Sequence, residues 1–299
     1  MDKKLTQYLA DPHDGGDLEL HIFEGDDRRV REGVLRNNAS DKWYPIRDAI
    51  PSLFVDALRE DDPIWIERFR AQLEAASCAV PSQEETSGDM TRISSERRAR
   101  DEQAEEYDRM LAIKVLNFFE TPIYRRTLPK STLTLEAGCG TGHFTGLFSE
   151  LSQELIAADM SRDSIKRNIA RWTDKTANTV HFVHTDLTHL PLKSKILDSV
   201  AHVGVYEHIP SRQLREQFIA HAHRVLKSDG VLMLSAYRYG GLTKLFKKEG
   251  EHDGGIPFFR FTEEELRSEI EPHFEIEIFK RNLGIYMSMV FGRPKSSTA

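Results

Sequence analysis

Leu133-Thr-Leu-Glu136-Ala-Gly138-Cys139-Gly140-Thr-Gly142-His143-Phe144 is the stretch whose reading decides the fold. An apolar run passes through three alternating glycines into a helical pattern. Glycine lets a backbone bend sharply and approach a ligand closely, and the start of the following helix offers free N–H groups. A dinucleotide-binding turn spaces its glycines differently, at the first, third and sixth positions. A phosphate-binding loop would add a lysine, which is missing here. Glu136, two residues before the first glycine, also sets this turn apart.

Working outward, apolar runs at 132–137, 154–158, 180–184, 198–204 and 230–235 alternate with helical patterns near 142–151, 161–172 and 211–226. Such alternation predicts a parallel sheet covered on both faces, an α/β fold. A helix near 262–270 precedes two runs at 273–279 and 284–291, close enough to pair antiparallel around Asn282 and Gly284. Asp159 ends the second run, where a carboxylate can accept hydrogen bonds from ribose hydroxyls. Asp186 follows the third, placed to accept from the exocyclic amine of a base. Gly204-Val-Tyr206-Glu207-His208-Ile209 follows the fourth. All these positions fall at carboxyl ends of strands, where doubly wound sheets bind ligands.

With these four motifs in order, the sequence over roughly residues 100–292 resembles the class I S-adenosylmethionine-dependent methyltransferases, especially the small-molecule and quinone-type group. The resemblance implies a Rossmann-like fold, a seven-stranded, mostly parallel sheet with an antiparallel last strand, and S-adenosylmethionine as cofactor. It places Glu136, Gly138, Gly140 and Gly142 at the methionine part, Asp159 at the ribose, and Asp186 and Leu187 at the adenine, with Met160 and Val203 also against the cofactor and Tyr107 as its cover or else a buried core tyrosine. Methyl transfer from a sulfonium is an in-line displacement, so orientation and exclusion of water do much of the work. A base is needed only for a protonated acceptor. His208 is the candidate, since imidazole titrates near neutrality, with support of the loop as its alternative role. His143 (in the first turn of the helix after the glycines), Tyr206, Tyr237, Arg238 and Phe258 are candidate acceptor contacts. Aromatic and basic residues in 236–261 suit a planar or acidic small molecule.

The chain before this domain divides in two. Residues 1–55 carry short strand-like runs at 18–23, 33–36, 43–46 and 52–55, a small β-rich module with little core of its own. Residues 56–99 read as a helical segment and linker, with Pro63 in a first turn, Ile64, Ile66, Phe69 and Leu73 on an apolar face, and Pro81–Asp89 as breaker-rich chain. The domain itself is assigned to 100–299. A helix opens at Ser94 with a charge run read as a solvated face, and Met110 to Phe119 form its buried stripe. The stretch Tyr44-Pro-Ile-Arg-Asp-Ala-Ile50-Pro51 is similar to the zinc-ribbon activator subunit of tRNA and protein methyltransferases. Asp11, Asp14, Asn37 and Ser40 stand where that family has cysteines. Oxygen ligands replace thiolates poorly on structural zinc, so a metal-free module packed around Tyr44, Ile46, Ile50 and Leu53 is expected. It could brace the domain, dimerise it or cap its pocket.

Composition narrows the function classes. The 299 residues are 39% apolar and 30% charged, with formal net charge −7. No run approaches the roughly 18 apolar residues of a membrane span, and the first residues lack a secretory signal's apolar core, so a cytoplasmic protein is expected. Cys78 and Cys139 are too few for a disulfide framework or a four-cysteine site, and His221 and His223 do not share a helix face, so no metal is assigned. The acidic balance argues against nucleic acid, and Arg162, Lys166, Arg167 and Arg171 form the one obvious basic stripe. The expected activity is methylation of an oxygen or nitrogen on a small-molecule acceptor. RNA or protein methylation, and a catalytically silent cofactor-binding partner, are the alternatives.

Overall fold

The computed structural model describes residues 1–59, 61–79, 88–107, 120–173, 175–176, 178–252, 255–282 and 286–296. Five strands, β5 (Ser131–Ala137), β6 (Ser152–Asp159), β7 (Thr179–Thr185), β8 (Leu197–Val203) and β9 (Leu226–Tyr237), lie parallel in the order β7-β6-β5-β8-β9. The last strand, β13 (Met287–Pro294), pairs antiparallel with β9, and β12 (Phe274–Asn282) pairs antiparallel with β13. Chain order reverses between β5 and β8, which opens a crevice at their carboxyl ends.

Apolar runs at 132–137, 198–204 and 230–235 form the central strands because their side chains are buried on both faces. Leu135, Val200 and Leu234 on one face and Ala201 and Met233 on the other are all at 0% exposure. On one face α6 (Arg212–Val225) buries Phe218, Ile219, Ala222 and Val225. On the other, α4 (Thr145–Leu151) and helical residues 120–127 pack Phe148, Phe144 and Tyr124. Each such side chain contributes about 1.5–3 kcal/mol of burial.

Among the described residues the sheet has eleven strands rather than the expected seven. The N-terminal strands β1 (Glu19–Gly25), β2 (Val30–Arg36), β3 (Trp43–Arg47) and β4 (Ile50–Leu53) form an antiparallel meander. Its last strand continues the main sheet, because β4 pairs parallel with β7, Ser52 opposite His184 and Leu53 opposite Thr185. The Thr185 hydroxyl donates to Leu53 O at 2.7 Å, and Ser52 Oγ lies 2.9 Å from His184 Nδ1. Tyr44, Ile46, Ile50 and Leu53 are buried at 2% or less. Where cysteines would stand in a zinc ribbon, Asn37 Nδ2 donates to Asp11 Oδ2 at 2.9 Å and to both Asp14 oxygens at 3.2 Å. Tyr44 Oη also donates to Asp11, at 2.9 Å.

Several local expectations are corrected. Asp62 caps α1 (Pro63–Arg68), with Pro63 in its first turn, but the chain turns at Phe69 into α2 (Arg70–Ala75). That leaves Ile64 82% exposed and buries Trp65 instead. The helix after the glycines starts at Thr145 rather than near 142, because Gly138, Gly140 and Gly142 all hold positive φ. The charge run falls on α3 (Gly88–Tyr107), and only part of it is a solvated face: Arg98 and Glu102 are exposed, while Glu96 and Arg97 are buried with Ile93 and Ala99. The expected linker at 81–87 and the stripe from Met110 to Phe119 lie outside the described residues.

Candidate active site

A cavity fills the crevice. Gly138 and Gly140 form part of its wall, with Asp159 and Met160 after β6, Asp186 and Leu187 after β7, and Gly204 and Val205 after β8. Helix α3 closes the outer side with Ile93, Glu96 and Arg100. The sharp bend of the turn follows from its glycines. Gly138 has φ +83° and its missing Cβ would meet Val205 at 2.4 Å, whereas Gly140, at φ +49°, faces open space. Gly142 also holds a left-handed backbone, but it packs away from the cavity. A Cβ there would lie 2.3 Å from Asn168 Oδ1, and Trp172 Nε1 donates to Gly142 O at 2.7 Å. The third glycine therefore serves the turn's packing on α5 (Arg162–Trp172).

Carboxylates dominate the electrostatics. Asp159 accepts from Gly140 N and Ser161 N, both at 2.8 Å, so the aspartate ties the glycine turn to the end of β6. Burial raises its pKa against those hydrogen bonds. Glu96 is pushed up to about 7, chiefly by burial, with Arg100 opposing. Glu136 is buried, accepts from Thr145 Oγ1 at 2.7 Å, and burial pushes it up to about 8. Asp186 caps the turn after β7, accepting from Thr188 N at 3.1 Å and lying 2.9 Å from His189 Nδ1. The acids that line the cavity, Glu96, Asp159 and Asp186, suit a ligand with positive charge, whereas Glu136 does not line it.

A second cavity of about 690 Å³ adjoins the first through Ile209 and Pro210, and Glu207, Glu249, Glu251 and Phe258 line it. Glu207 is 1% exposed, and neither carboxylate oxygen has a hydrogen-bond partner among the described residues; burial pushes it up to about 8. The hairpin of β10 (Glu249–His252) and β11 (Ile256–Phe259) brings together three residues singled out in the sequence. His208 and Tyr237 have ring centroids 5.8 Å apart, Tyr237 and Phe258 6.4 Å apart. His252 stacks near Phe258 at 4.7 Å, and Arg260 lies 4.6 Å over the Phe258 ring. His208 Nδ1 lies 2.8 Å from Pro257 O; as donor to that carbonyl it leaves Nε2 as the acceptor nitrogen. Burial holds its pKa well below 6.5, so the ring is neutral at physiological pH.

Other expected residues fall elsewhere. Tyr206 is no acceptor contact, because it is fully buried and donates to Glu269 Oε2 at 2.7 Å, the carboxylate that Arg215 clasps through two bonds of 2.9 Å. His143 lies in the turn before α4, not within its first turn, and does not line either cavity. Arg238 lies beyond β9, where its guanidinium approaches Gly240 at 3.1 Å from that residue's ideal Cβ. Val203 is half-buried behind Gly204 on the β8 side. The side chain of Tyr107 lies outside the described residues. The sequence does not point to Ile93, Glu96 and Arg100. Their spacing, with Arg97, follows a helical stripe, but charged residues fill positions that an apolar reading looks for.

Residues 135–234 match the family model described as a methyltransferase domain. A malonyl-[acyl-carrier protein] O-methyltransferase of Hamiltonella defensa subsp. Acyrthosiphon pisum (strain 5AT) is 25% identical over 116 residues, 39% of this chain and 42% of that protein. A tRNA (carboxymethyluridine(34)-5-O)-methyltransferase of Arabidopsis thaliana is 26% identical over 114 residues, 38% of this chain and 26% of that one. The chain thus spans less than half the length of these curated relatives. Among solved structures, the DhpI-SAH complex superimposes with TM-score 0.54 at 20% identity, covering 68% of this chain and 96% of that one. Residues 135–234 are thus similar to a methyltransferase domain, and S-adenosylmethionine is the cofactor that this similarity points to.

The residues fit that cofactor. Gly140 leaves the wall open where a side chain would intrude, Asp159 retains lone pairs beyond its two backbone donors, and the acids suit a sulfonium and an ammonium. When bound, S-adenosylmethionine supplies an electrophilic methyl group.

Proposed function

We propose that the protein methylates an oxygen or nitrogen of a small-molecule acceptor, with S-adenosylmethionine held at the crevice between β5 and β8. One observation carries the reading: the cavity walled by Gly138, Gly140, Asp159 and Asp186 joins a second concave cavity through Ile209 and Pro210. About 690 Å³ is the size of a small-ligand site. The exposed carboxylates Glu249 and Glu251 on its wall repel a polyanion such as RNA.

Asp159 would hold the ribose and Asp186 the adenine edge, while Ile93, Glu96 and Arg100 exclude water from above. The acceptor would lie against Phe258 and Glu207. His208 Nε2 would accept a proton where the acceptor's hydroxyl or ammonium needs one, although the ring lines neither cavity and burial lowers its basicity.

Calorimetric titration with S-adenosylmethionine and S-adenosylhomocysteine is the first test, followed by labelled methyl donor and fractionated cell extract. Micromolar cofactor binding with label in the low-mass fraction supports the proposal. Label confined to RNA or protein overturns the acceptor class. Binding of neither compound overturns the cofactor site.

A further inference from the structure

Across α3 from the cofactor cavity, a separate cavity of about 150 Å³ lies between the N-terminal strands and the methyltransferase domain. Four arginines from three regions of the chain wall it: Arg47 and Arg59 from the N-terminal part, Arg97 from α3, and Arg162 from the first turn of α5. All four are largely withdrawn from water, the Arg59 side chain being 9% exposed, Arg162 15% and Arg47 16%, with Arg97 buried.

Backbone carbonyls hold most of these guanidiniums in place. Arg59 donates to Trp43 O at 2.5 Å and lies 3.9 Å over the Trp43 ring. Arg97 donates to Leu58 O at 2.9 Å, and Arg162 to Arg47 O at 2.6 Å. Donor capacity is left over. Arg47 Nε and Arg59 Nη2 are buried, and neither has a hydrogen-bond partner among the described residues. A buried donor without an acceptor is costly, and the same donors are strong ligands for an oxyanion that enters.

Among the groups that line the cavity, guanidiniums outnumber carboxylates four to two. Two carboxylates line the same wall, Asp101 and Asp163. Asp101 is already used, accepting from Ser161 Oγ at 2.6 Å and from Asp163 N at 3.2 Å. Asp61, Asp62 and Asp48 pair with Arg59, Arg47 and Arg162 at 2.7, 3.4 and 3.3 Å without lining the cavity. Asp48 and Asp62 are 63% and 42% exposed, so water screens much of their charge. His184 contributes none, because burial holds its imidazole neutral.

From this we infer that the cavity is an anion site for a phosphate group, either free phosphate or the phosphoryl end of a small metabolite. The planar guanidinium forks match tetrahedral oxygens, and the volume admits one such group rather than a nucleotide. Its ligand bridges the N-terminal strands to α3 and α5 and stands apart from the cofactor cavity.

The test is calorimetric titration of the full chain in phosphate-free buffer with inorganic phosphate and with glycerol 3-phosphate, against sodium chloride at matched ionic strength. Saturable one-to-one binding of either phosphate compound is expected, and the tighter of the two identifies the free anion or the phosphomonoester as the source. Arg47→Gln should weaken it at least tenfold, since Arg47 Nε has no acceptor among the described residues and its one carboxylate partner is exposed. S-adenosylhomocysteine affinity in that variant should stay within twofold, showing an intact fold. A response no different from chloride, or unchanged phosphate affinity in Arg47→Gln, overturns the inference.

Discussion

Gly140 and Gly142 sit two residues apart in the same turn, and a methyl group would have opposite consequences at each. At Gly140 the space is open, so Gly140→Ala should cost only the left-handed backbone strain, about 1–2 kcal/mol, while its methyl intrudes on the cofactor cavity. Calorimetry should show weakened S-adenosylmethionine binding by a well-folded protein. Gly142→Ala adds a clash with Asn168 and Trp172 to the strain and should lose about 3 kcal/mol or more in urea unfolding. Equal stability of the two variants would contradict this division of roles. Asp159→Ala removes the acceptor for two backbone N–H groups together with the proposed ribose contact. A loss of cofactor affinity on the order of 10–100-fold is expected, and unchanged affinity would refute the assignment.

Helix α3 and the turn after β8 show how elements carry the site. Glu96, raised to about 7 by burial, keeps in the folded protein a proton that the unfolded chain releases near the ordinary glutamate value of 4.5. Stability of the cofactor-free protein should therefore fall as pH rises from about 4.5 to about 7, and Glu96→Gln should remove that part of the slope. Cofactor binding has the opposite sign. A sulfonium favours the ionised acid, so affinity should strengthen as pH rises toward about 7 and level off above it, by at most about tenfold per unit for one proton. S-adenosylhomocysteine, which lacks the sulfonium, should show a shallower profile; matching slopes in calorimetry would exclude Glu96. Tyr206 belongs to a different element pair, tying the turn after β8 to α7 (Glu263–Ile270) through Glu269. Tyr206→Phe should cost about 1–3 kcal/mol of stability and leave cofactor affinity within twofold.

At the scale of the whole molecule, the N-terminal strands and the methyltransferase domain share one sheet. Residues Ile50–Leu53 cover the edge of β7, which would otherwise present unpaired backbone groups and apolar neighbours to solvent. A variant lacking residues 1–55 should aggregate on gel filtration, and a monodisperse, cofactor-binding fragment would show the edge to be dispensable. The parallel strands, the glycine turn and the acids at strand ends were legible because each is a local signal: apolar runs, glycines where φ turns positive, and carboxylates beside breaks in the pattern. Tertiary structure alone decided the rest. Joining β4 to β7 brings together residues more than a hundred positions apart, and α3 lays charged side chains over the crevice. Tyr206 turns inward to Glu269, and Arg47, Arg59, Arg97 and Arg162 converge on one cavity. A charged residue reads the same in sequence whether water or a buried partner satisfies it, and only the packing of distant segments tells the two apart.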